Sequence, residues 1–180
     1  MKNSESKINQ WISAGVALIL CTLIRLIPLR APNVEPVFAT TMPFARRYGA
    51  ILGFVFGASN IVLYDLVTAG IGSWTFVSAL GFGLVGGVGA WALPKFKNRK
   101  IGYVSYAIVG TVAFDVLTGL TLGPIAFGQP FMSAVLGQIP FTALHLVSNV
   151  AFALTISPAV DYALSMKREA WSIKRKIQNA

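Results

Sequence analysis

The chain has 180 residues, of which 55% are apolar and only 12% charged, and it carries a formal net charge of +9 from 15 Lys and Arg against 6 Asp and Glu. A soluble domain carries about 25% charged residues, so this composition, with a mean hydropathy of +0.67, excludes a water-soluble globular protein. The positive charge falls in short clusters between apolar runs, which is a membrane topology signal, and that excludes nucleic acid as a partner. The single cysteine, Cys21, lies inside an apolar run; it excludes a disulfide framework and reads as a structural thiol.

The first apolar run follows a polar stretch of ten residues and is followed by Arg25, Pro28 and Arg30. No small-residue cleavage site follows it, so it is expected to remain as the first spanning helix. Spanning helices need about 20 mostly apolar residues. On that measure helices are expected at 11–27, 36–45, 48–66, 74–93, 101–117 and 131–156, with an amphipathic stretch at 158–177. The second is short and interrupted by Pro43, either a true crossing or a segment buried in protein. Pro140 is a candidate kink in the sixth.

Placing the N-terminus inside puts Lys2, Lys7, Arg46, Arg47, Lys95, Lys97, Arg99, Lys100, Lys167, Arg168, Lys174, Arg175 and Lys176 on the inner side. Only Arg25 and Arg30 remain outside. Cytosolic loops collect Lys and Arg. The expected architecture is therefore an all-α integral membrane protein, a six-helix transmembrane bundle with both termini cytosolic. Residues 1–10 form a cytosolic tail, 11–157 the transmembrane unit and 158–180 a basic cytosolic segment. Trp171 and Ile173 would anchor that segment on an anionic inner surface.

A weak repeat is present. Tyr64-Asp65-Leu66-Val67-Thr68 resembles Phe114-Asp115-Val116-Leu117-Thr118, and Phe76-Val77-Ser78-Ala79 resembles Phe131-Met132-Ser133-Ala134. Each unit is a helix ending in Asp at the outer face, a Gly-rich loop, and a descending helix. Gly49, Gly53 and Gly57 recur every four residues, and Gly81, Gly83, Gly86, Gly87 and Gly89 follow in the next helix. Small residues on one face let membrane helices approach closely.

The unusual polar residues gather toward the outer face. Pro28, Pro32 and Pro36 stiffen the first loop, which presents Asn33 and Glu35, either to a ligand or to an arginine that holds the loop. Asp65 and Asp115 occupy equivalent outer helix ends, where an ionisable group is a functional candidate and local hydrogen bonds to Thr68 or Thr118 are the plainer role. Gln138, Thr142, His145 and Asn149 are spaced by four, three and four, so they share one helical face. The opposite face, Leu136, Pro140, Ala143, Val147, Ala151 and Leu154, is apolar. A polar stripe turned to lipid would be costly, so it faces the interior, lining a pocket or bonding to other helices. Trp74, Tyr64, Phe76, Phe127 and Phe131 are available to stack on a small planar ligand, or belong to an interfacial belt.

One histidine without Cys or a second His is a poor metal site, so no metal is expected. Gly57-Ala58-Ser59 with His145 is a weak match to an intramembrane serine dyad, since Ile61 stands where the second glycine of G-x-S-x-G belongs. No Walker A, HExxH or dinucleotide fingerprint occurs, and no cofactor is expected. Uphill transport would need an ion gradient or a separate energising subunit.

Six helices in under 200 residues, the Pro32-Asn33-Val34-Glu35-Pro36-Val37 loop and the run Asp65-Leu66-Val67-Thr68-Ala69-Gly70-Ile71-Gly72-Ser73-Trp74-Thr75 resemble the substrate-binding S component of energy-coupling factor (ECF) transporters, over about residues 10–165. The resemblance implies a non-enzymatic subunit of a prokaryotic plasma membrane that captures a vitamin or similar micronutrient from outside. It implies a transmembrane T component and cytosolic ATPase subunits as partners. By position, Asn33 and Glu35 would belong to a gating loop, and Trp74, Gln138, His145 and Asn149 to the pocket wall. Such proteins carry an Ala-x-x-x-Ala contact for the T component on the first helix; here Ser13-x-x-x-Ala17 is the nearest match, a departure. Two other functions stand beside this one: a stand-alone secondary transporter using Asp65 or Asp115 as a proton site, and an intramembrane enzyme using His145.

Overall fold

The computed structural model describes residues 2–29, 33–68 and 70–178, with side chains from Lys7 to Met166 within those ranges. Arg30, Pro32, Ala69 and the side chains of Lys2 and of 167–178, including Trp171 and Ile173, lie outside the described residues. The described residues are helical, joined by turns: α1 (Lys2–Arg25), α2 (Val37–Tyr48), α3 (Ala50–Val67), α4 (Ser73–Ala92), α5 (Arg99–Asp115), α6 (Gly123–Phe127) and α7 (Phe131–Gln178). Five stretches are long and apolar enough to cross a membrane: Lys7–Arg25, Ala50–Val67, Ser73–Lys95, Arg99–Phe127 and Phe131–Met166. Their outward positions are aliphatic or aromatic, as at Ile51, Val109, Leu136 and Val147. Water would penalise that surface, whereas acyl chains do not. The chain is a multi-pass helical membrane protein.

α2 is of a different kind from these five. Its 12 residues rise only about 18 Å, and the run 37–45 is buried throughout. It is walled by protein, not lipid, yet it runs from one end of the fold to the other. Glu35, just before it, pairs with Arg25, and Arg47, near its end, pairs with Asp161 of α7. Pro43 sits in its interior. Proline has no N–H to give the carbonyl four residues back, which here is Ala39. The Ser157 hydroxyl of α7 donates to that carbonyl at 2.7 Å instead. Ser157→Ala should leave a fully buried acceptor unpaired and cost about 2 kcal/mol. Denaturation in mixed detergent measures this, and an unchanged midpoint would show that the bond contributes nothing.

One residue, Gly49, separates α2 from α3; its φ of +94° is in the region glycine adopts freely, and it reverses the chain. α3 and α4 then pack backbone to backbone. A Cβ placed on Gly53 would lie 2.6 Å from the Gly86 carbonyl oxygen, and one on Gly57 would lie 2.6 Å from that of Phe82. The four-residue glycine spacing is therefore a contact face at Gly53 and Gly57, and a turn at Gly49.

Three helix ends differ from the sequence expectation. The first helix begins at Lys2, within the stretch expected as a tail, and not at residue 11. The fifth helix does not stop at Leu117. It continues through a π-helical stretch, Val116–Leu122, into α6. Gly119, Gly123 and Pro124 look like loop residues in sequence, but Pro124 falls at the start of α6, where a missing N–H is harmless. Likewise α7 does not end at Ile156. It passes Pro140 and Pro158 as one helix to Gln178. The carbonyls these prolines free belong to Leu136 and Leu154, both at exposed positions away from the core. At the basic end Asp161 gathers α2, α5 and α7: its carboxylate lies 2.9 Å from Arg99 and 3.6 Å from Arg47.

Candidate functional site

At the opposite end, α1, the first loop, α3, α4, α5, the π-helical stretch and α7 line a partly open cavity of about 250 Å³. Its polar lining comes from Arg25, Asn33, Glu35, Ser78, Thr118, Gln138 and His145, and its apolar walls include Ile61, Trp74, Phe82, Phe114 and Phe141.

The roof is held by charge. Arg25 Nε lies 2.8 Å from Glu35 Oε2, with both side chains 9% exposed. The guanidinium also donates from Nη1 to the Asn60 carbonyl at 3.0 Å and stacks over the Tyr64 ring at 4.0 Å. Asn33 has φ +62°, a left-handed conformation that asparagine tolerates. Its side-chain N–H donates to the Phe141 carbonyl at 3.3 Å, which pins the loop to α7. Thus the loop is held by an arginine, as one of its two readings allowed, and both of its named residues also face the cavity.

The floor is built on the α7 stripe. His145 Nδ1 meets Asp115 Oδ1 at 2.9 Å, with both side chains almost fully buried. A carboxylate oxygen only accepts, so Nδ1 donates this bond. The Phe114 and Phe141 rings meet the imidazole edge-on at 5.8 Å each and fix its plane. Gln138 Nε2 donates to Thr142 at 3.1 Å. Its Oε1 lies against Gly119, where a Cβ would push the Gln138 amide aside. Asn149 donates to Thr111 at 2.8 Å, one turn deeper than His145.

The structure therefore brings Asn33, Glu35, Trp74, Gln138 and His145 around one cavity. Four other sequence candidates stand outside its lining: Thr142 and Asp115 support Gln138 and His145 from behind, Asn149 ties α7 to α5, and Asp65 fixes a loop. Thr75 Oγ1 donates to Asp65 Oδ2 at 2.6 Å and accepts from the Gly72 N–H at 3.1 Å. That places the Asp65 carboxylate by the start of α4, where backbone N–H groups favour negative charge. Thr75→Val should loosen this turn and cost about 1 kcal/mol, read as a lower unfolding midpoint with ligand binding little changed.

The two repeat units share only their local core. Thr68 donates to the Tyr64 carbonyl at 2.7 Å, and Thr118 donates to the Phe114 carbonyl at 2.8 Å. Beyond that they part, because α3 ends while α5 winds on into the π-helical stretch. On α1, the Ser13 hydroxyl turns back to the Asn9 carbonyl and Ala17 packs against the core. Cys21 is buried with its Sγ against Thr40, consistent with a structural thiol.

Sequence reasoning did not find Ser78, Phe82, Phe114, Thr118, Gly119 and Phe141 in the lining. Of the rings it offered for stacking or for an interfacial belt, Phe76 and Phe131 are exposed, as a belt requires, and Phe127, half-exposed, packs against Trp74 at 5.5 Å. The repeat signal at Phe114 and Thr118 was the one available clue.

No family model matches the chain, and no solved structure matches it. It is similar to a UPF0397 protein of Lactobacillus helveticus (strain DPC 4571), 27% identical over 133 residues, which cover 69% of this chain and 71% of that protein.

Proposed function

We propose that the chain is the membrane-embedded substrate-binding subunit, the S component, of an energy-coupling factor importer. It binds a vitamin-like micronutrient without covalent chemistry. The observation that carries this is the partly open cavity at the end of the bundle remote from the Arg47, Arg99 and Asp161 cluster. Basic residues mark the cytosolic side, so the cavity opens toward the outside of a prokaryotic plasma membrane. With α2 counted as a crossing, six helices place both termini in the cytosol. A transmembrane T component and cytosolic ATPases supply the energy.

Native mass spectrometry of the gently purified chain should show a retained small molecule that is lost in Gln138→Ala. Uptake in cells should require the co-expressed T component and ATPases. A second reading has its own support: Asp115 is 1% exposed, and its Oδ2 has no hydrogen-bond partner among the described residues. A buried carboxylate paired with histidine is a proton site for a stand-alone transporter. Uptake by the chain alone, driven by a pH gradient and lost in Asp115→Asn, would establish that reading and overturn the importer.

A further inference from the structure

Below the cavity, the buried face between α5 and α7 carries a polar patch of its own. The two helices run antiparallel and bond to each other at two successive levels. Asp115 Oδ1 accepts from His145 Nδ1 at 2.9 Å, and Thr111 Oγ1 accepts from Asn149 Nδ2 at 2.8 Å. Thr111 lies one turn from Asp115, and Asn149 one turn from His145. The four side chains thus form a two-by-two patch. One turn deeper on each helix stand Ala107 and Ala153, both fully buried.

Two atoms of this patch are left over, and both are oxygens that accept. Asp115 Oδ2 and Asn149 Oδ1 are buried with no hydrogen-bond partner among the described residues, and each residue is 1% exposed. Buried polar atoms are rarely left unpaired. Thr111 Oγ1 adds a third oxygen, with a lone pair to spare. Charge is left over as well. The ion pairs among the described residues match Asp115 with no Lys or Arg. A neutral His145 satisfies Oδ1 and leaves the charge unmatched, and a carboxylate inside a membrane needs a partner.

Four residues of helix rise about 6 Å, so a point midway between the two levels lies about 3 Å from each. That is close enough for side-chain oxygens to coordinate a small ion. Oxygen donors suit a hard cation, and one carboxylate balances a single charge. No cluster of three His, Cys, Asp or Glu side chains exists among the described residues to hold a transition metal.

We propose that a sodium ion binds between the two levels, coordinated by Asp115 Oδ2, Asn149 Oδ1 and Thr111 Oγ1, with His145 neutral. The ion enters past His145, which borders the partly open cavity. It supplies the missing charge and braces α5 against α7, whatever the cavity itself binds. To test this, the full chain in detergent is melted in sodium, potassium and choline chloride at equal ionic strength, and binding of radioactive sodium is measured directly. Sodium should raise the melting temperature saturably, potassium less and choline not at all. Asp115→Asn should abolish both the sodium response and sodium binding. Thr111→Val should weaken sodium binding about tenfold, and Thr111→Ser, which keeps the oxygen, should bind as the parent does. Equal melting in the three salts, or no saturable sodium binding by the parent chain, overturns the proposal and leaves a histidinium as the counter-charge. So does a full sodium response in Asp115→Asn. Should that variant fail to fold, the Thr111 pair decides: equal sodium affinity in Thr111→Val and Thr111→Ser overturns the site. ATPase-dependent uptake by a chain that binds no sodium would sink this inference and keep the importer. Sodium binding together with uptake by the chain alone would do the reverse.

Discussion

Arg25→Ala is expected to destabilise the protein by about 3–5 kcal/mol. The arginine is enclosed with Glu35, and its removal leaves a carboxylate with no cation beside it in a low-dielectric site. Two further contacts go with it, the hydrogen bond to the Asn60 carbonyl and the stacking on Tyr64, which together tie the end of α1 to α3. The double variant Arg25→Met, Glu35→Met should recover most of the loss, since a buried pair replaced as a whole by apolar groups is often nearly neutral. Ligand binding should not recover in step, because the first loop would no longer be drawn over the cavity. Denaturation midpoints for the two single variants and the double variant give the coupling energy. A coupling below about 1 kcal/mol is what a solvated surface pair shows, and would mean that the roof is open to water and not fastened by this pair.

The same pair shows how far the sequence reaches. A loop held by an arginine was one of the two readings open for this proline-rich turn, but Arg25 and Arg30 both stood near Glu35 in sequence, and nothing local chose between them. The faces of α7 were more fully readable. Gln138, Thr142, His145 and Asn149 share a helical period, and their apolar counterfaces Leu136, Val147 and Leu154 are exposed as that period requires. Helix ends were less legible. Proline and glycine ordinarily stop a helix because they withdraw an N–H or add backbone freedom. Pro158 frees a carbonyl at an exposed position and Pro124 falls at a helix start, so neither ends its helix, and the sequence alone does not show which prolines are so placed. The partners of His145 were hidden for another reason. Asp115 is thirty residues away, and its likeness to Asp65 suggested a common role at two helix ends. Only the continuation of α5 into the π-helical stretch, which carries Thr118 and Gly119 into the cavity wall, separates the two carboxylates. Wide helical turns of this kind recur at functional sites, but their extra residue leaves no periodic mark in a short apolar segment.

Gly57→Leu should be as damaging as the loss of Arg25, through packing instead of charge. A Cβ at Gly57 would meet the Phe82 carbonyl oxygen at 2.6 Å and its carbon at 3.0 Å, and backbone atoms cannot rotate away as a side chain can. The only relief is to move α4 off α3. Overpacking commonly costs 1–3 kcal/mol and sometimes more, and a backbone-to-backbone clash belongs at about 3 kcal/mol. The displaced part of α4 carries Phe82 and, one turn away, Ser78, both of which line the cavity. Protein that still folds should therefore bind ligand at least about tenfold more weakly, since a cavity wall moved by a fraction of an ångström loses its ring contacts and its hydroxyl together. Gly137→Leu is the matched control: no atom lies within 4 Å of a Cβ there, and the position faces away from the core. That substitution should be neutral or stabilise by about 0.5–1 kcal/mol, because leucine is the better helix former. If both variants unfold at the parent's midpoint, α3 and α4 are not in backbone contact and the cavity has some other wall. If Gly57→Leu alone falls, in stability and in affinity, then the glycine spacing sets the shape of the binding site as well as the packing of the bundle.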